Sequence, residues 1–303
     1  MFSRSALPFC GDTGSMLTTR APAKINLTLH VLGRQDNGYH SLESLVAFTG
    51  SGDRLQLSPK NSLSLQIYGP TATAAGAGND NLVLRAARNL AERIEGLSLG
   101  AFHLEKRLPV AAGIGGGSSD AAAALRLLAQ VNNLSLSDPR LIEAACVTGA
   151  DVPVCLEARA RMMSGVGNIL GPKLQLPLLP AVLINPGIPV DTKPVFQRLG
   201  LECGQRLENL PHPVLNLSDD IKTFFKQLEF SRNDLEDAAC QLAPIIVDVL
   251  AILRAARGAK VARMSGSGAT CFAIFDAPSS ATHAARVIRA VHPSWWVKTA
   301  VLR

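Results

Sequence analysis

One short stretch, residues 108–122, constrains this chain more than any other. Its sequence, LPVAAGIGGGSSDAA, is a glycine-rich loop that runs directly into an alanine- and leucine-rich segment typical of a helix. Glycines have no Cβ atom, so the backbone amides of such a loop can approach a ligand closely. A helix that begins there adds unpaired amides and the positive end of its dipole. The stretch therefore predicts a phosphate site, and hence a protein that binds a nucleoside triphosphate.

The two most common phosphate-binding motifs do not fit this loop. A Walker loop needs Lys-Ser or Lys-Thr after its last glycine, whereas Ser118 and Ser119 follow Gly117 here. A dinucleotide-binding fingerprint that starts at Gly113 would need a glycine at position 118. The structural alternative is a turn that only caps the helix. A cap requires one glycine or serine, and this stretch has six such residues close together.

Five segments, in order along the chain, resemble the motifs of a known enzyme family. Residues 21–27 (APAKINL), 109–122 and 265–270 (SGSGAT) resemble the three motifs of the GHMP kinase superfamily. That group includes galactokinase, homoserine kinase, mevalonate kinase and phosphomevalonate kinase. Residues 38–40 (GYH) and 149–153 (GADVP) are similar to one branch of it. Enzymes of that branch phosphorylate the 2-hydroxyl of a cytidine diphosphate derivative of a methylated polyol, in the non-mevalonate route to isoprenoid precursors.

The resemblance implies an α+β fold of two domains with the active site in the cleft between them. The ATP-binding domain is expected at residues 17–172, with a fold like that of ribosomal protein S5 domain 2. A ferredoxin-like domain is expected at residues 173–303. Residues 1–16 precede the resemblance and are expected to form a disordered extension. The order of predicted elements also favours α+β, because strands and helices do not alternate strictly.

Hydrophobic periodicity and turn residues predict the individual elements. In residues 23–31, polar side chains alternate with apolar ones, so a half-buried strand with a polar face is expected. Further strands are expected at residues 44–48, 54–57, 62–68, 101–106, 152–156, 181–185, 261–264, 270–275 and 296–301. Helices are expected at residues 81–95, after the glycine-rich loop, from Asp138-Pro139 to Gly149, after Asn233-Asp234, from Pro244 to Gly258, and between the last two strands.

Asp151 and Lys24 are the predicted catalytic residues. Asp151 stands before an apolar run, where an unpaired carboxylate is costly to bury, so it needs either a partner or a function. By itself it also fits a turn aspartate that bonds to local backbone, and Lys24 by itself fits a solvated strand lysine. The resemblance implies that Asp151 accepts the proton of the substrate hydroxyl and that Lys24 pairs with it. Lys24 would also offset charge that develops on the phosphoryl group.

ATP and Mg²⁺ are the expected cofactors. Ser118 and Ser119 are candidates both for capping the helix and for contacting phosphate or metal. The ion is expected to be held mainly by ATP and water, with Ser119 as the one candidate protein ligand. The resemblance implies ATP contacts from Asn81 and from Pro109, Val110, Ala111, Ala112, Gly113, Ile114, Gly115, Gly116, Gly117, Ser118 and Ser119.

The resemblance also implies the residues that bind the acceptor. Tyr39 would stack on the cytosine and His40 would read its edge, with Phe196 as the opposite wall. Thr192 would lie on the diphosphate side, but Lys193 stands before Pro194 and leaves the register of this segment open. The expected acceptor contacts are Asn26, Tyr39, His40, Asp151, Thr192, Phe196, Gly266 and Ser267. A simple hairpin turn remains the alternative for the glycine turn at residues 266–268.

Composition gives no indication of a nucleic-acid partner. The formal net charge is +6, but the basic residues are dispersed, which argues against a nucleic-acid surface. This charge suits a polyanionic small molecule, and ordinary surface charge without a function is the alternative. The six cysteines form no CxxC pair, so neither zinc nor a disulfide framework is indicated, and a cytoplasmic location is expected. No apolar run is long enough to span a membrane. A monomer or weak dimer is expected.

Two functional alternatives remain open at this point. One is another kinase of the superfamily that acts on mevalonate, homoserine or a sugar. The other is a nucleotide-binding protein without turnover.

Overall fold

A computed structural model describes residues 16–60, 62–76, 78, 80–208, 212–213 and 221–303. The strands are β1 (Leu17–Asn26), β2 (His30–Arg34), β3 (His40–Pro59), β4 (Ser64–Tyr68), β5 (Gly100–Glu105), β6 (Arg161–Gly165), β7 (Ile169–Lys173), β8 (Leu179–Asn185), β9 (Ala259–Met264), β10 (Cys271–Phe275) and β11 (Trp296–Leu302). The helices are α1 (Leu82–Ala91), α2 (Gly116–Val131), α3 (Pro139–Thr148), α4 (Val152–Glu157), α5 (Thr192–Gln197), α6 (Ile221–Glu229), α7 (Glu236–Leu242), α8 (Ile245–Ala255) and α9 (Pro278–Val291), with a single 3₁₀ turn at Ala72–Ala74. Among the described helices, none is long and apolar enough to cross a bilayer.

Strand β3 organises the N-terminal half. It pairs with β1, β2, β5 and β6, and its Thr49 pairs with Leu302 of β11, so one sheet continues into the C-terminal half. The expected separate strands at residues 44–48 and 54–57 are therefore wrong, because β3 runs without interruption through both. Gly52 allows this continuity, since a Cβ at that position would overlap the carbonyl group of Ala21 on β1.

The C-terminal half has the predicted ferredoxin-like topology. Its strands lie in the order β11-β8-β10-β9, and the neighbouring strands pair antiparallel. In chain order this is the 4-1-3-2 arrangement of a split βαβ motif. Helices α8 and α9 pack on this sheet. The expected strands near residues 261–264, 270–275 and 296–301 are confirmed, as is the helix between the last two.

Helix α2 lies at the centre of the N-terminal core. The alanine run at positions 121–124 is fully buried. Its small side chains let the helix lie close to β1 and β3 on one side and to α1 and α4 on the other. The position of α2 in turn brings its N-terminus, and the glycine-rich loop before it, to the boundary between the two halves.

The expected strand at residues 23–31 is wrong in two respects. Strand β1 ends at Asn26, and β2 begins only at His30. The side chains of the polar face are also buried rather than in contact with water. The C-terminal half packs against this segment, and the Leu29 amide donates to the Arg232 carbonyl at 2.9 Å. The buried polar residues of this segment are Lys24, Asn26, Thr28 and His30.

The expected strand at residues 152–156 is the helix α4. Pro153 lies in its first turn, where proline favours a helix. Its C-terminal end is held by α2, since Nη1 of Arg126 donates to the carbonyls of Cys155 and Leu156 at 2.8 and 3.2 Å. This short apolar helix therefore has a fixed place on α2, and Asp151 stands at its N-terminus.

Candidate active site

A cavity of about 690 Å³ lies between the two halves, and both glycine-rich segments line it. Most predicted site residues are on its wall: Lys24, Asn26, Asn81, Pro109, Val110, Ala111, Ala112, Gly113, Gly115, Gly116, Gly117, Ser118, Asp151, Thr192, Phe196, Gly266 and Ser267. Ile114 and Ser119 are fully or almost fully buried and do not line it. Tyr39 and His40 do not line it either.

The glycine-rich loop follows a backbone path that requires glycine. Gly113 and Gly115 have φ angles of 72° and 60°, in the left-handed region. Gly115 is the N-cap of α2, which begins at Gly116 without a side-chain cap, so neither Ser118 nor Ser119 caps the helix. The first amides of α2 remain without side-chain acceptors at the cavity wall, as an anion site requires.

The second glycine turn packs directly on the first loop. It joins β9 to β10, so the hairpin alternative is correct, but it also faces the cavity. The Ser265 hydroxyl donates to the Gly113 carbonyl at 3.0 Å, and the Thr270 amide donates to the Ala112 carbonyl at 3.1 Å. A Cβ on Gly113 would overlap the Ser265 carbonyl, so only glycine permits this approach. The two loops therefore hold the two halves in register around the cavity.

Lys24 and Asp151 meet beside the glycine-rich loop. The distance from Lys24 Nζ to Asp151 Oδ2 is 2.8 Å, and the side chains are 5% and 35% exposed. Asp151 does not cap α4, so its carboxylate is free of the local backbone role considered above. Gly115 makes room for the lysine, because a Cβ there would lie 3.3 Å from Lys24 Cε. The arrangement places an oriented carboxylate and an ammonium group next to the phosphate loop.

Asn26 is held by two side chains and keeps one polar atom free. Its amide donates to Ser265 Oγ at 3.1 Å, and its Nδ2 donates to Ser44 Oγ at 2.7 Å. Ser44 in turn donates to the Thr28 carbonyl. Asn26 Oδ1 is buried and has no partner among the described residues. A fixed acceptor of this kind, on the cavity wall, suits a substrate hydroxyl or amide.

The part of the cavity where the acceptor contacts are predicted is formed by α5 and its neighbours. The Thr192 and Ser267 hydroxyls lie 2.9 Å apart, which links α5 to the second glycine turn. The ring centroids of His40 and Phe196 are 4.7 Å apart, so the His40 ring packs against Phe196, which lines the cavity. Burial and nearby Arg34 lower the pKa of His40. Tyr39 is 65% exposed.

Asn81 has a structural task in addition to its place on the cavity wall. Its side chain caps α1 by accepting a hydrogen bond from the Val83 amide at 2.9 Å. Its Nδ2 group donates to the Gly76 carbonyl at 3.1 Å. Both ends of the amide are therefore engaged, and the predicted adenine contact stays a prediction.

Sequence patterns did not predict a buried ion cluster that lies at the cavity beside the glycine-rich loop. Lys106 contacts both Asp53 and Asp120, the latter at 2.8 Å, and Lys106 and Asp120 line the cavity. Burial raises the pKa of Asp120 to about 8, and Asp53 adds to the increase, while the two carboxyls raise the pKa of Lys106. The available signal was local: Asp120 directly follows Ser119 in the motif, and Lys106 precedes the motif by two residues.

Comparisons with known proteins find similar sequences over almost the whole chain. The family descriptions "GHMP kinases N terminal domain" and "GHMP kinases C terminal" match residues 81–159 and 214–298. A protein of Methylorubrum extorquens (strain PA1) called 4-diphosphocytidyl-2-C-methyl-D-erythritol kinase is 60% identical over 94% of this chain and 98% of its own. A Bradyrhizobium protein (strain BTAi1) of the same name is 54% identical over 96% of this chain and 98% of its own.

A solved structure extends the match to three dimensions. The crystal structure of a 4-(cytidine 5'-diphospho)-2C-methyl-D-erythritol kinase is 34% identical, with a TM-score of 0.75, and the match covers 94% of this chain and 99% of that one. The sequence motifs, the strand topology and the similarity of the overall structure thus indicate the same family. The chain belongs to the GHMP kinase family.

Proposed function

We propose that this protein transfers the γ-phosphoryl group of ATP to the 2-hydroxyl of 4-diphosphocytidyl-2-C-methyl-D-erythritol, a step in the non-mevalonate synthesis of isoprenoid precursors. The Lys24–Asp151 contact of 2.8 Å beside the glycine-rich loop carries this proposal. The identity of the acceptor is proposed from the names of the relatives. The cavity supports it, because the cavity extends beyond the glycine-rich loop and has polar groups there that a second substrate can contact.

The chain's own groups suffice for the proton and charge movements of the reaction. The substrate hydroxyl gives its proton to the Asp151 carboxylate while its oxygen forms a bond to the γ-phosphorus. The bond between that phosphorus and the β,γ-bridging oxygen breaks, and ADP leaves with the electron pair. Lys24 orients Asp151 and attracts the charge that builds up on the transferred group, and the loop amides hold the phosphates.

The side chains of this site offer few ligands for Mg²⁺. Mg²⁺ commonly binds through one or two carboxylates and the phosphates of the nucleotide. Within the described residues, no group of three or more His, Cys, Asp or Glu side chains could hold a metal by itself. Ser119 is fully buried, and Asp120 offers one oxygen without a partner. We therefore propose that ATP holds Mg²⁺ mainly by its phosphates, where the ion would neutralise phosphate charge.

The acceptor would lie with its cytosine near Phe196 and its diphosphate near Thr192 and Ser267. Both hydroxyls line the cavity and stand together at the second glycine turn. A cytoplasmic location is proposed because ATP is available there and because the five described cysteines are free thiols.

An acceptor panel tests the function. The purified protein is incubated with ATP and Mg²⁺, and ADP release is measured with 4-diphosphocytidyl-2-C-methyl-D-erythritol, mevalonate, homoserine or galactose. We expect rapid ADP release with the cytidine diphosphate substrate only, and a product phosphorylated at its 2-hydroxyl by ³¹P NMR. Faster turnover of another acceptor would reassign the substrate. ATP binding without ADP release on any acceptor would favour a binding protein without turnover.

A further inference from the structure

A second cavity, of about 710 Å³, opens beside β11, where the start of β1 pairs with β3. Its volume falls within the usual range for sites that bind small molecules. Arg20, Arg54, Lys298 and Trp296 line it, and none of these four residues lines the cavity of the proposed active site. No step of the proposed reaction uses this second cavity.

Four cationic side chains surround it: Arg20, Arg54, Arg107 and Lys298. Arg20 and Arg54 stand directly opposite each other in the β1–β3 register. Like charges at directly opposed positions disfavour a sheet, and because both side chains are exposed, solvent screens part of this repulsion. In the described part of the chain, neither arginine nor Lys298 forms an ion pair.

The nearby acids are already engaged by other groups. Glu105 lies opposite Arg54 in the β3–β5 register, but its carboxylate contacts Arg107 at 2.7 Å. Asp53 is fully buried, contacts Lys106, and accepts hydrogen bonds from the Arg107 and Leu108 amides at 2.6 and 2.8 Å. The cavity therefore keeps an excess of positive charge.

Trp296 gives the cavity an apolar wall. Its Nε1 group donates to the Arg107 carbonyl at 3.1 Å, which satisfies the polar edge of the indole and fixes the ring. The apolar ring excludes water from one side of the cavity, which strengthens the electrostatic field of the surrounding cations. Guanidinium groups match phosphate oxygens with paired hydrogen bonds, so converging arginines favour phosphate over a monovalent anion.

We propose that this second cavity, lined by Arg20, Arg54, Lys298 and Trp296, binds a diphosphate group. The ligand would bridge the opposed arginines and relieve their repulsion. Asp53 connects the two cavities. Its carboxylate accepts a hydrogen bond from the Arg107 amide beside the second cavity, and it contacts Lys106, which lines the first.

The chain offers a direct reporter for this proposal, because Trp295 and Trp296 are its only tryptophans. In a Trp295→Phe background, fluorescence reports on Trp296 alone. Inorganic pyrophosphate is titrated into this protein without metal. The same titration is made with Arg54→Gln/Lys298→Gln and with the control Lys260→Gln, which neutralises an exposed lysine on β9 that lines neither cavity.

We expect a saturable fluorescence change in the background protein and in the control, and a dissociation constant at least tenfold higher in the double variant. An unchanged dissociation constant in the double variant overturns the proposal, as does the lack of any saturable change in the background protein. Thermal unfolding and ADP release establish that each variant is folded. If the double variant does not fold, the two single substitutions of these exposed residues give the same comparison. Because binding is read at Trp296, the result does not depend on which acceptor the kinase uses.

Discussion

Lys24 Nζ contacts Asp151 Oδ2 at 2.8 Å although 127 positions separate the two residues. The lysine lies on β1, which pairs with the long strand β3, and the aspartate lies at the start of α4, which α2 holds in place. Both supports pack in the N-terminal core, which fixes the backbone positions of the two residues. Preorganised charge next to the reacting phosphate is an effective source of transition-state stabilisation.

Asp151→Asn should abolish most of the turnover while leaving ATP binding largely intact. The amide keeps the shape of the side chain but cannot accept the hydroxyl proton, so we expect kcat to fall by about 10²–10⁴-fold. Steady-state ADP release and nucleotide titration measure the two effects. Asp248→Asn, an exposed residue of α8, is the matched control and should keep full activity. Near-normal kcat in Asp151→Asn would remove this residue from the role of base.

Gly113→Ala should destabilise the contact between the two halves. The new Cβ would overlap the Ser265 carbonyl, and the residue would remain at a φ of 72°, which alanine disfavours. We expect a loss of about 2 kcal/mol or more in the free energy of unfolding, measured by urea denaturation. In Gly50→Ala, where a Cβ meets nothing within 4 Å, the change should stay within about 0.5 kcal/mol. Equal effects of the two substitutions would contradict this account of the loop contact.

Phe196→Ala should weaken acceptor binding without affecting ATP. Loss of a stacking surface for the cytosine costs about 1–3 kcal/mol, which corresponds to a rise in the acceptor KM of about 5- to 150-fold. Phe230→Ala, in which an exposed phenylalanine is removed, is the control. An unchanged acceptor KM would show that the cytosine lies elsewhere. Tyr39→Ala in the same assay tests the stacking predicted for the exposed Tyr39 independently of Phe196.

Asp120→Asn should flatten the pH dependence of stability. Burial raises the pKa of Asp120 from 3.8 to about 8, so the folded state keeps a proton that the unfolded state releases. The folded state therefore binds more protons between these pH values, and stability falls as the pH rises through this window. Urea unfolding at pH 5.5 and pH 8.5 should show a smaller loss in Asp120→Asn than in the wild type. Parallel losses in both proteins would mean that Asp120 does not titrate in this range.

Local features of the sequence were sufficient to predict several elements. Gly113 and Gly115 have the left-handed conformations that the glycine-rich stretch indicated, and α2 begins within that stretch. Asp138 caps α3 and Gly149 ends it, as their residue types predict. These outcomes depend on backbone preferences that act over a few residues, so one sequence reveals them.

Errors arose where packing overrode the local pattern. Alternation in residues 23–31 indicated one polar face in water, but Lys24 is buried against Asp151 and Asn26 against Ser265 of the C-terminal half. The apolar run after Asp151 fits a strand and a buried helix equally well by periodicity alone, and the contacts with Arg126 favour the helix. Motif resemblance likewise gave no reason to expect that Tyr39 is exposed or that Ser119 is buried.

The sequence alone determined the glycine-rich loop, the helix that follows it and the bounds of α3, because glycine conformations, caps and turn residues are short-range properties, and its motifs indicated the family. Only the tertiary structure decided that Lys24 meets Asp151, that Lys106 bridges Asp53 and Asp120, and that Arg20 and Arg54 face each other at a second cavity. Each of these relationships joins distant parts of the chain. Their energies depend on burial and on distances of a few ångströms, which exist only once the sheet and helices have packed.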